Sequence, residues 1–154
     1  MPVVWLICDI SGSMVEAGKR FQARSMIREI EQLGRFGYIP DVDIRLATWG
    51  QEVIPCSWES DEEVPDQVLN CREASDITAL AGFITERQDD RLIILSDCHW
   101  SLDSEDASIA AKLVCESESV RVVGLGADAN MKVMNRAVIP CEESIVLIEE
   151  WLSS

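Results

Sequence analysis

Three oxygen-bearing side chains follow the first apolar segment of the chain at alternate positions. Val3–Cys8 is a continuous apolar run, and Asp9, Ser11 and Ser13 come directly after it. Alternation along an extended turn places the carboxylate and the two hydroxyls on one side of the backbone. Hard divalent cations such as Mg2+ bind oxygens of this kind. The segment therefore predicts part of a metal site at the end of a strand.

A second carboxylate stands at the end of another apolar run. Leu92–Leu95 is followed by Ser96 and Asp97. In open α/β sheets, ligands bind beyond the carboxyl ends of the strands, at the point where the strand order reverses. If the two runs are neighbouring strands on either side of that point, Asp9 and Asp97 meet at one edge of the sheet and can share one cation.

The whole chain alternates apolar strands with amphipathic helices. The predicted strands are Val3–Cys8, Ile44–Trp49, Glu52–Trp58, Leu92–Leu95, Val120–Leu125 and Val138–Ile139. The predicted helices are Val15–Leu33, a short one over Pro65–Asn70, Ile77–Arg87, one from a cap at Asp103 or Ser104 to about Glu116, a short one from Asp128 through Asn135, and Glu142–Leu152.

This alternation predicts an α/β fold with a doubly wound, mostly parallel six-stranded sheet and helices on both faces. We expect the strand order 3-2-1-4-5-6, which places the first and fourth strands at the reversal point. Only Gly50 and Gln51 separate the second and third strands, so this pair is antiparallel. Pro55 lacks an N–H donor, which makes the third strand an edge. We expect residues 1–154 to form a single domain.

Composition narrows the function classes. The net charge of −15 argues against nucleic acid and anionic membranes as partners. No apolar run approaches the roughly 20 residues that span a bilayer, and Asp9 interrupts the first run too early for a signal peptide. The six cysteines contain no C-x-x-C pair, so neither a zinc site nor a disulfide framework is indicated. We therefore expect a cytoplasmic protein.

The oxygen-bearing residues resemble the metal-ion-dependent adhesion site of von Willebrand factor A domains. In that family D-x-S-x-S follows the first strand, a Thr lies before the third helix, and an Asp follows the fourth strand. The chain supplies these positions in order, as Asp9, Ser11, Ser13, Thr78 and Asp97. The resemblance covers essentially the whole chain.

The resemblance implies a metal-dependent binding module without catalysis. It implies that Ser11, Ser13 and Thr78 contact Mg2+ directly, with Mn2+ or Ca2+ as alternatives, and that Asp9 and Asp97 act mainly through waters. An open coordination position would then accept an acidic side chain of a protein partner. The chain departs from the family pattern in two places: Cys98 stands where Gly is usual, and Ser75-Asp76-Ile77 stands where Gly-Gly or Ser-Gly often precedes the Thr.

Three residues beside the metal positions are predicted to contact the partner: Asp76, His99 and Trp100. Trp100 would be an anchor if exposed, or a packing residue if it folds back onto the sheet, and the sequence leaves both open. Residues 124–128 and 149–154 are similar to small stand-alone bacterial proteins of tellurium-resistance type. That similarity implies a kinase-like protein or a Ser/Thr phosphatase as partner, in a stress or signalling complex.

Two alternatives remain. A phosphohydrolase resembling the haloacid-dehalogenase group would also place an Asp nucleophile after its first strand, at Asp9. That group needs a second Asp two residues later as acid and base, and Ser11 cannot do this at neutral pH. A metal-free scaffold is the other alternative.

Arg20, Arg24 and Arg28 follow helical spacing and form either a solvated face or a surface for an acidic partner.

Overall fold

Strands and helices alternate along the chain in the computed structural model, which describes residues 1–133 and 136–154. The strands are β1 (Val3–Asp9), β2 (Asp43–Trp49), β3 (Val53–Pro55), β4 (Arg91–Ser96), β5 (Val120–Gly124), β6 (Lys132–Val133), β7 (Arg136–Ala137) and β8 (Ile139–Pro140). The helices are α1 (Lys19–Arg35), α2 (Ile77–Thr85), α3 (Glu105–Glu116) and α4 (Ser144–Leu152), with short 3-10 segments at Gly12–Gly18, Asp66–Leu69 and Cys141–Glu143.

Six strands form the main sheet in the order β3-β2-β1-β4-β5-β8, which confirms the expected order 3-2-1-4-5-6. Every neighbouring pair is parallel except β2 with β3. The edge strand β3 is shorter than the predicted Glu52–Trp58. Because β1 lies between β2 and β4, the carboxyl ends of β1 and β4 meet where the strand order reverses. This is the edge at which Asp9 and Asp97 were expected.

The central strands bury side chains on both faces of the sheet. Along β1, Val4, Leu6 and Cys8 join the apolar cluster formed with α1 and α4, whereas Trp5 and Ile7 join the cluster formed with α2 and α3. Strands covered on both faces need apolar residues at every position, which explains the continuous apolar runs in the sequence. The expected helices on both faces are therefore confirmed.

Helix α1 begins later than predicted. Residues 12–18 form a 3-10 segment instead of the helical turn expected from Val15, and Lys19 is the first residue of the α-helix. The backbone at Ala17 and Gly18 has positive φ angles of 51° and 74°, which an α-helix cannot include. This kink brings Lys19 to the carboxyl edge of the sheet. No helix in the described part of the chain combines the length and apolar character needed to cross a bilayer.

The chain after β5 also differs from the prediction. The helix predicted from Asp128 through Asn135 is wrong over its described part, because Lys132–Val133 pairs with Arg136–Ala137 in an antiparallel hairpin. Asn135 itself lies outside the described residues. The described residues directly after Asp128 form no helix for its carboxylate to cap, and this carboxylate forms an ion pair with Lys19.

Two of the three arginines at helical spacing on α1 hold the acidic connection between β3 and α2. The guanidinium of Arg20 donates to the carbonyl of Leu69 at 3.1 Å. The guanidinium of Arg28 donates to the carbonyl of Ser60 at 3.1 Å and forms an ion pair with the buried Glu31. Both guanidinium groups therefore make contacts within the chain. At these two residues the structure supports neither a solvated helix face nor a surface for an acidic partner.

Candidate metal centre

Asp9 is buried at the carboxyl end of β1, and both of its carboxylate oxygens accept hydrogen bonds. The backbone N–H of Ser11 and the hydroxyl of Ser75 donate to Oδ1 at 2.8 and 2.6 Å. The hydroxyl of Ser96 donates to Oδ2 at 2.6 Å. Burial raises the pKa of Asp9, and the hydrogen bonds from Ser75, Ser96 and Ser11 oppose that rise. Asp9 thus ties three segments of the chain together behind the site.

The hydroxyls of Ser11 and Ser13 lie side by side in front of Asp9. Their oxygens are 3.3 Å apart, and both residues are half-buried, with the exposed Gly12 between them. Two ligands at about 2.1 Å from Mg2+ and at right angles to each other are about 3.0 Å apart. The two hydroxyls therefore fit neighbouring corners of an octahedral cation.

Asp97 lies just beyond β4, is 1% exposed, and backs the second hydroxyl. Its Oδ2 accepts a hydrogen bond from the Ser13 hydroxyl at 2.6 Å, and its Oδ1 accepts one from the backbone N–H of His99 at 3.3 Å. Because Ser13 gives its proton to a carboxylate, Ser11 is the donor in the contact between the two hydroxyls, and a lone pair of the Ser13 oxygen is left for a cation. This is how carboxylates behind a site orient the groups that touch a metal.

A lysine that the sequence analysis missed shares this carboxylate. Lys19 is fully buried, and its Nζ lies 3.0 Å from Asp97 Oδ2 and 2.9 Å from Asp128 Oδ1. Burial disfavours the charged form of Lys19, but hydrogen bonds and charge from Asp128 and Asp97 outweigh it and raise the pKa of the ammonium. In turn, the hydrogen bond from Lys19 lowers the pKa of Asp128.

Ser96 is the second residue that the sequence analysis missed. Its hydroxyl is buried, donates to Asp9, and accepts hydrogen bonds from the backbone N–H of Cys98 at 2.9 Å and from Trp100 Nε1 at 3.1 Å. The only hint in the sequence was a polar residue at the end of an otherwise apolar strand. Ser75 gave no such hint, because its loop approaches Asp9 only in the folded chain.

Thr78 is the one predicted metal residue that does not join this network. It is exposed in the first turn of α2, where its backbone N–H donates to the Asp76 carboxylate at 2.9 Å. Within the described residues its hydroxyl makes no hydrogen bond. Of the expected set, the structure therefore brings together Asp9, Ser11, Ser13 and Asp97.

The three predicted partner-contact residues have different environments. Asp76 is exposed and caps α2, and the side chain of His99 is 45% exposed with Nε2 2.7 Å from the carbonyl of Asp128. Trp100 is half-buried and folds back onto the sheet, with its ring centroid 5.7 Å from that of Trp49 in an edge-to-face contact. Packing, the second of the two orientations considered for Trp100, is the one observed.

The chemistry of the donor set fits a hard cation. Two half-buried hydroxyls each keep a lone pair that no hydrogen bond among the described residues uses, and two buried carboxylates accept hydrogen bonds beside them. Across residues 1–133 and 136–154, no group of three or more His, Cys, Asp or Glu is arranged to hold a metal. A metal here would therefore depend on hydroxyl oxygens and water, which suits Mg2+ and does not suit a soft ion.

Comparison with known proteins rests on solved structures, because no protein-family model and no curated protein sequence matches the chain. Manganese-loaded TRAP protein of Plasmodium vivax superposes with a TM-score of 0.62 at 14% identity, over 99% of this chain and 74% of that one. Proximal thread matrix protein 1 from the mussel byssus, with a zinc-occupied MIDAS motif, gives a TM-score of 0.57 at 13% identity, over 99% of this chain and 47% of that one.

A von Willebrand factor type A protein from Catenulispora acidiphila gives a TM-score of 0.59 at 11% identity, over 99% of this chain and 42% of that one. This chain thus spans less than half the length of the mussel and Catenulispora proteins. At identities this low, the comparison shows similarity of fold alone. The chain has the fold of von Willebrand factor type A domains.

Proposed function

We propose that the chain is a protein-binding module that holds one divalent cation at Ser11 and Ser13 and offers it to an acidic side chain of a partner. One observation carries this proposal: two hydroxyls lie 3.3 Å apart in front of two buried carboxylates that end neighbouring strands. The manganese and zinc in the similar solved structures support the same assignment. Mg2+ is the proposed ion, with Mn2+ or Ca2+ as alternatives.

Each proposed metal residue has a separate task. Ser11 and Ser13 contact the ion, Asp9 holds the backbone of Ser11, and Asp97 accepts the proton of Ser13. Thr78 completes the set from the first turn of α2, where its hydroxyl is exposed. When bound, the cation supplies positive charge and an open coordination position. An acidic group could otherwise not approach a protein with a net charge of −15 without strong repulsion.

The proposed partner is a protein that docks on the rim formed by Asp76, His99 and Trp100. A kinase-like protein or a Ser/Thr phosphatase of a bacterial stress or signalling complex is the specific candidate, from the similarity of residues 124–128 and 149–154 to tellurium-resistance proteins. A cytoplasmic location is part of this proposal. All six cysteines are free thiols, as is usual in a reducing compartment.

We propose no catalytic role for Asp9. Its two oxygens already accept hydrogen bonds from Ser11, Ser75 and Ser96, so neither oxygen is presented to a substrate as a nucleophile. Ser11 also stands where a phosphohydrolase of the alternative kind needs its acid and base. These contacts favour the binding module over the phosphohydrolase.

The first test is a calorimetric titration with Mg2+ and Mn2+. We expect one ion per chain in the wild type and no measurable heat in the double variant Ser11→Ala/Ser13→Ala, because both proposed ligands that touch the ion are removed. Ser101→Ala is the matched control, since this exposed residue's hydroxyl donates to Asp103 and to nothing else within residues 1–133 and 136–154. Equal affinity in the double variant and the wild type would rule out this metal centre.

The second test asks whether the partner needs the metal. Protein captured from the native host on immobilised wild-type chain should be released by EDTA and should be absent when the double variant Ser11→Ala/Ser13→Ala is the bait. His99→Ala should weaken the capture, because this exposed side chain lies on the rim. Capture that persists in EDTA and on the double variant would mean that the partner uses another face.

A further inference from the structure

We propose that Lys19 is a built-in cation of this site, which competes with the divalent ion for the negative charge of Asp97 and sets how tightly that ion binds. The proposal deepens the proposed function and rests on it. It assigns a role to a residue that the sequence analysis did not single out.

The first support is the environment of the ammonium. Lysine is almost never fully buried unless it is paired, yet Lys19 is 0% exposed at the edge of the sheet. Its Nζ lies between two carboxylates, 3.0 Å from Asp97 Oδ2 and 2.9 Å from Asp128 Oδ1. By contrast, Lys112 on α3 has a side chain that is 66% exposed. Lys19 thus offsets negative charge that Asp97 would otherwise carry unpaired in the interior.

The second support is that the neighbouring loop is shaped around this side chain. Gly126 has a φ of +89°, and a Cβ at that position would lie 2.7 Å from Lys19 Cε and 3.1 Å from Asp128 Oδ1. The backbone N–H of Gly126 is fixed by the Gln22 side chain at 2.9 Å. Only glycine leaves room for the lysine stem in this conformation, so the buried position of Lys19 is built into the loop.

Competition follows from the oxygen that is shared. Asp97 Oδ2 accepts hydrogen bonds from both the Ser13 hydroxyl and the Lys19 ammonium. A divalent ion on Ser13 would stand on one side of this carboxylate with the ammonium on the other. Like charges this close repel strongly when they are shielded from water. Metal binding must therefore weaken the contact between Lys19 and Asp97.

Asp128 gives the Lys19 ammonium a second carboxylate partner. The Asp128 side chain is 58% exposed and reaches the ammonium with both of its oxygens, at 2.9 and 3.2 Å. The ammonium can therefore lose its contact with Asp97 when the metal binds and still keep one carboxylate. The two states of the site would be an ammonium shared between Asp97 and Asp128, or a divalent ion at Ser11 and Ser13 with Lys19 held by Asp128.

The test compares Mn2+ affinity, measured by calorimetry, in the wild type, Lys19→Met and Lys19→Gln, with Lys112→Gln as the exposed control. We expect both Lys19 variants to bind Mn2+ at least tenfold more tightly, because they leave Asp97 without a competing cation, and we expect no change in Lys112→Gln. Glutamine still offers Asp97 a hydrogen bond, so Lys19→Gln carries the test if Lys19→Met does not fold.

A second measurement follows the ammonium itself. In the wild type, Mg2+ should shift the 15Nζ resonance of Lys19 and leave that of Lys112 unchanged, because only Lys19 loses a carboxylate.

Wild-type binding together with unchanged or weaker binding in the Lys19 variants would overturn this inference and leave the proposed function standing. Binding by the variants alone would support the inference and overturn metal-dependent function in the wild type. Absence of binding in all chains would overturn both.

Discussion

Replacing Ser96 by Ala should lower the free energy of unfolding by about 2–4 kcal/mol, since each buried polar group left without a partner costs about 1–3 kcal/mol. The fully buried Ser96 hydroxyl donates to Asp9 and accepts from the N–H of Cys98 and from Trp100 Nε1. All three partners lose their contact at once. Urea unfolding followed by circular dichroism measures the change.

Ser101→Ala is the control for this substitution, because Ser101 is exposed and lies in the following loop. Its effect should stay within about 0.5 kcal/mol, as is usual for surface positions. A Ser96→Ala variant as stable as Ser101→Ala would show that water replaces the hydroxyl and that Ser96 does not organise the site.

The loss of unfolding free energy in Ser96→Ala, relative to the wild type, should be larger at neutral than at acid pH. Burial already raises the pKa of Asp9, and the bond from Ser96 is one of the contacts that lower it. Loss of that bond raises the pKa of folded Asp9 further above its unfolded value. A raised pKa of this kind favours the folded state only below the unfolded pKa, and this advantage is lost as pH rises through the folded pKa. Denaturant midpoints measured across this range give the comparison.

Features that repeat along the chain could be predicted from the sequence. The apolar runs give the strands of the central sheet, and the two-residue connection at Gly50 and Gln51 gives the antiparallel edge. Strand order then follows from general rules for α/β connections, so Asp9 and Asp97 could be placed at one edge. These inferences need only local periodicity and the handedness of crossovers.

Features that depend on the distance between loops could not be predicted. Ser75 reaches Asp9 because the chain before α2 runs beside residues 10–12, where the backbone N–H of Gly12 donates to the carbonyl of Glu73. No pattern in either segment specifies this approach. Lys19 was missed for a related reason. It shares a helical face with Ala23, Met26 and Ile27, but nothing in that spacing indicates the carboxylates that it meets in the folded chain.

Cys98 illustrates how a resemblance and a structure can agree through different residues. The family pattern has Gly at this position, and Cys98 takes up a left-handed conformation with a φ of 64°. That conformation costs a non-glycine residue roughly 1–2 kcal/mol. The left-handed turn therefore forms although the backbone preference of a non-glycine residue disfavours it. The buried Cys98 side chain packs in the cluster with α2 and α3.

Trp49→Ala should be the most destabilising single change in the described part of the chain, by about 3–5 kcal/mol, as is typical when a buried aromatic residue is truncated. Trp49 ends β2, is 0% exposed, and packs edge-to-face against Trp100. Its Nε1 donates to the carbonyl of Asp76 at 2.8 Å. The loss is a large part of the 5–15 kcal/mol that stabilises an ordinary domain.

Two matched variants separate packing from hydrogen bonding at this position. Trp49→Phe keeps much of the apolar volume and loses the N–H, so it should cost about 1 kcal/mol for the hydrogen bond plus a smaller packing loss. Trp58→Ala removes a half-buried tryptophan whose Nε1 contacts Glu62 in the acidic connection, and it should cost less than Trp49→Ala. Unfolding is best followed by circular dichroism, because each variant removes a fluorophore.

The metal centre should weaken together with the fold in Trp49→Ala. The carbonyl of Trp49 accepts hydrogen bonds from the backbone N–H of Ile10 at 3.0 Å and from the Ser75 hydroxyl at 3.2 Å, so this strand end positions both segments that contact Asp9. A cavity beneath them lets the segments shift relative to Asp97. Mn2+ titration of the folded variant should therefore give weaker binding than Trp58→Ala. Wild-type affinity in Trp49→Ala would show that hydrogen bonds alone keep Ser11 and Ser13 in place.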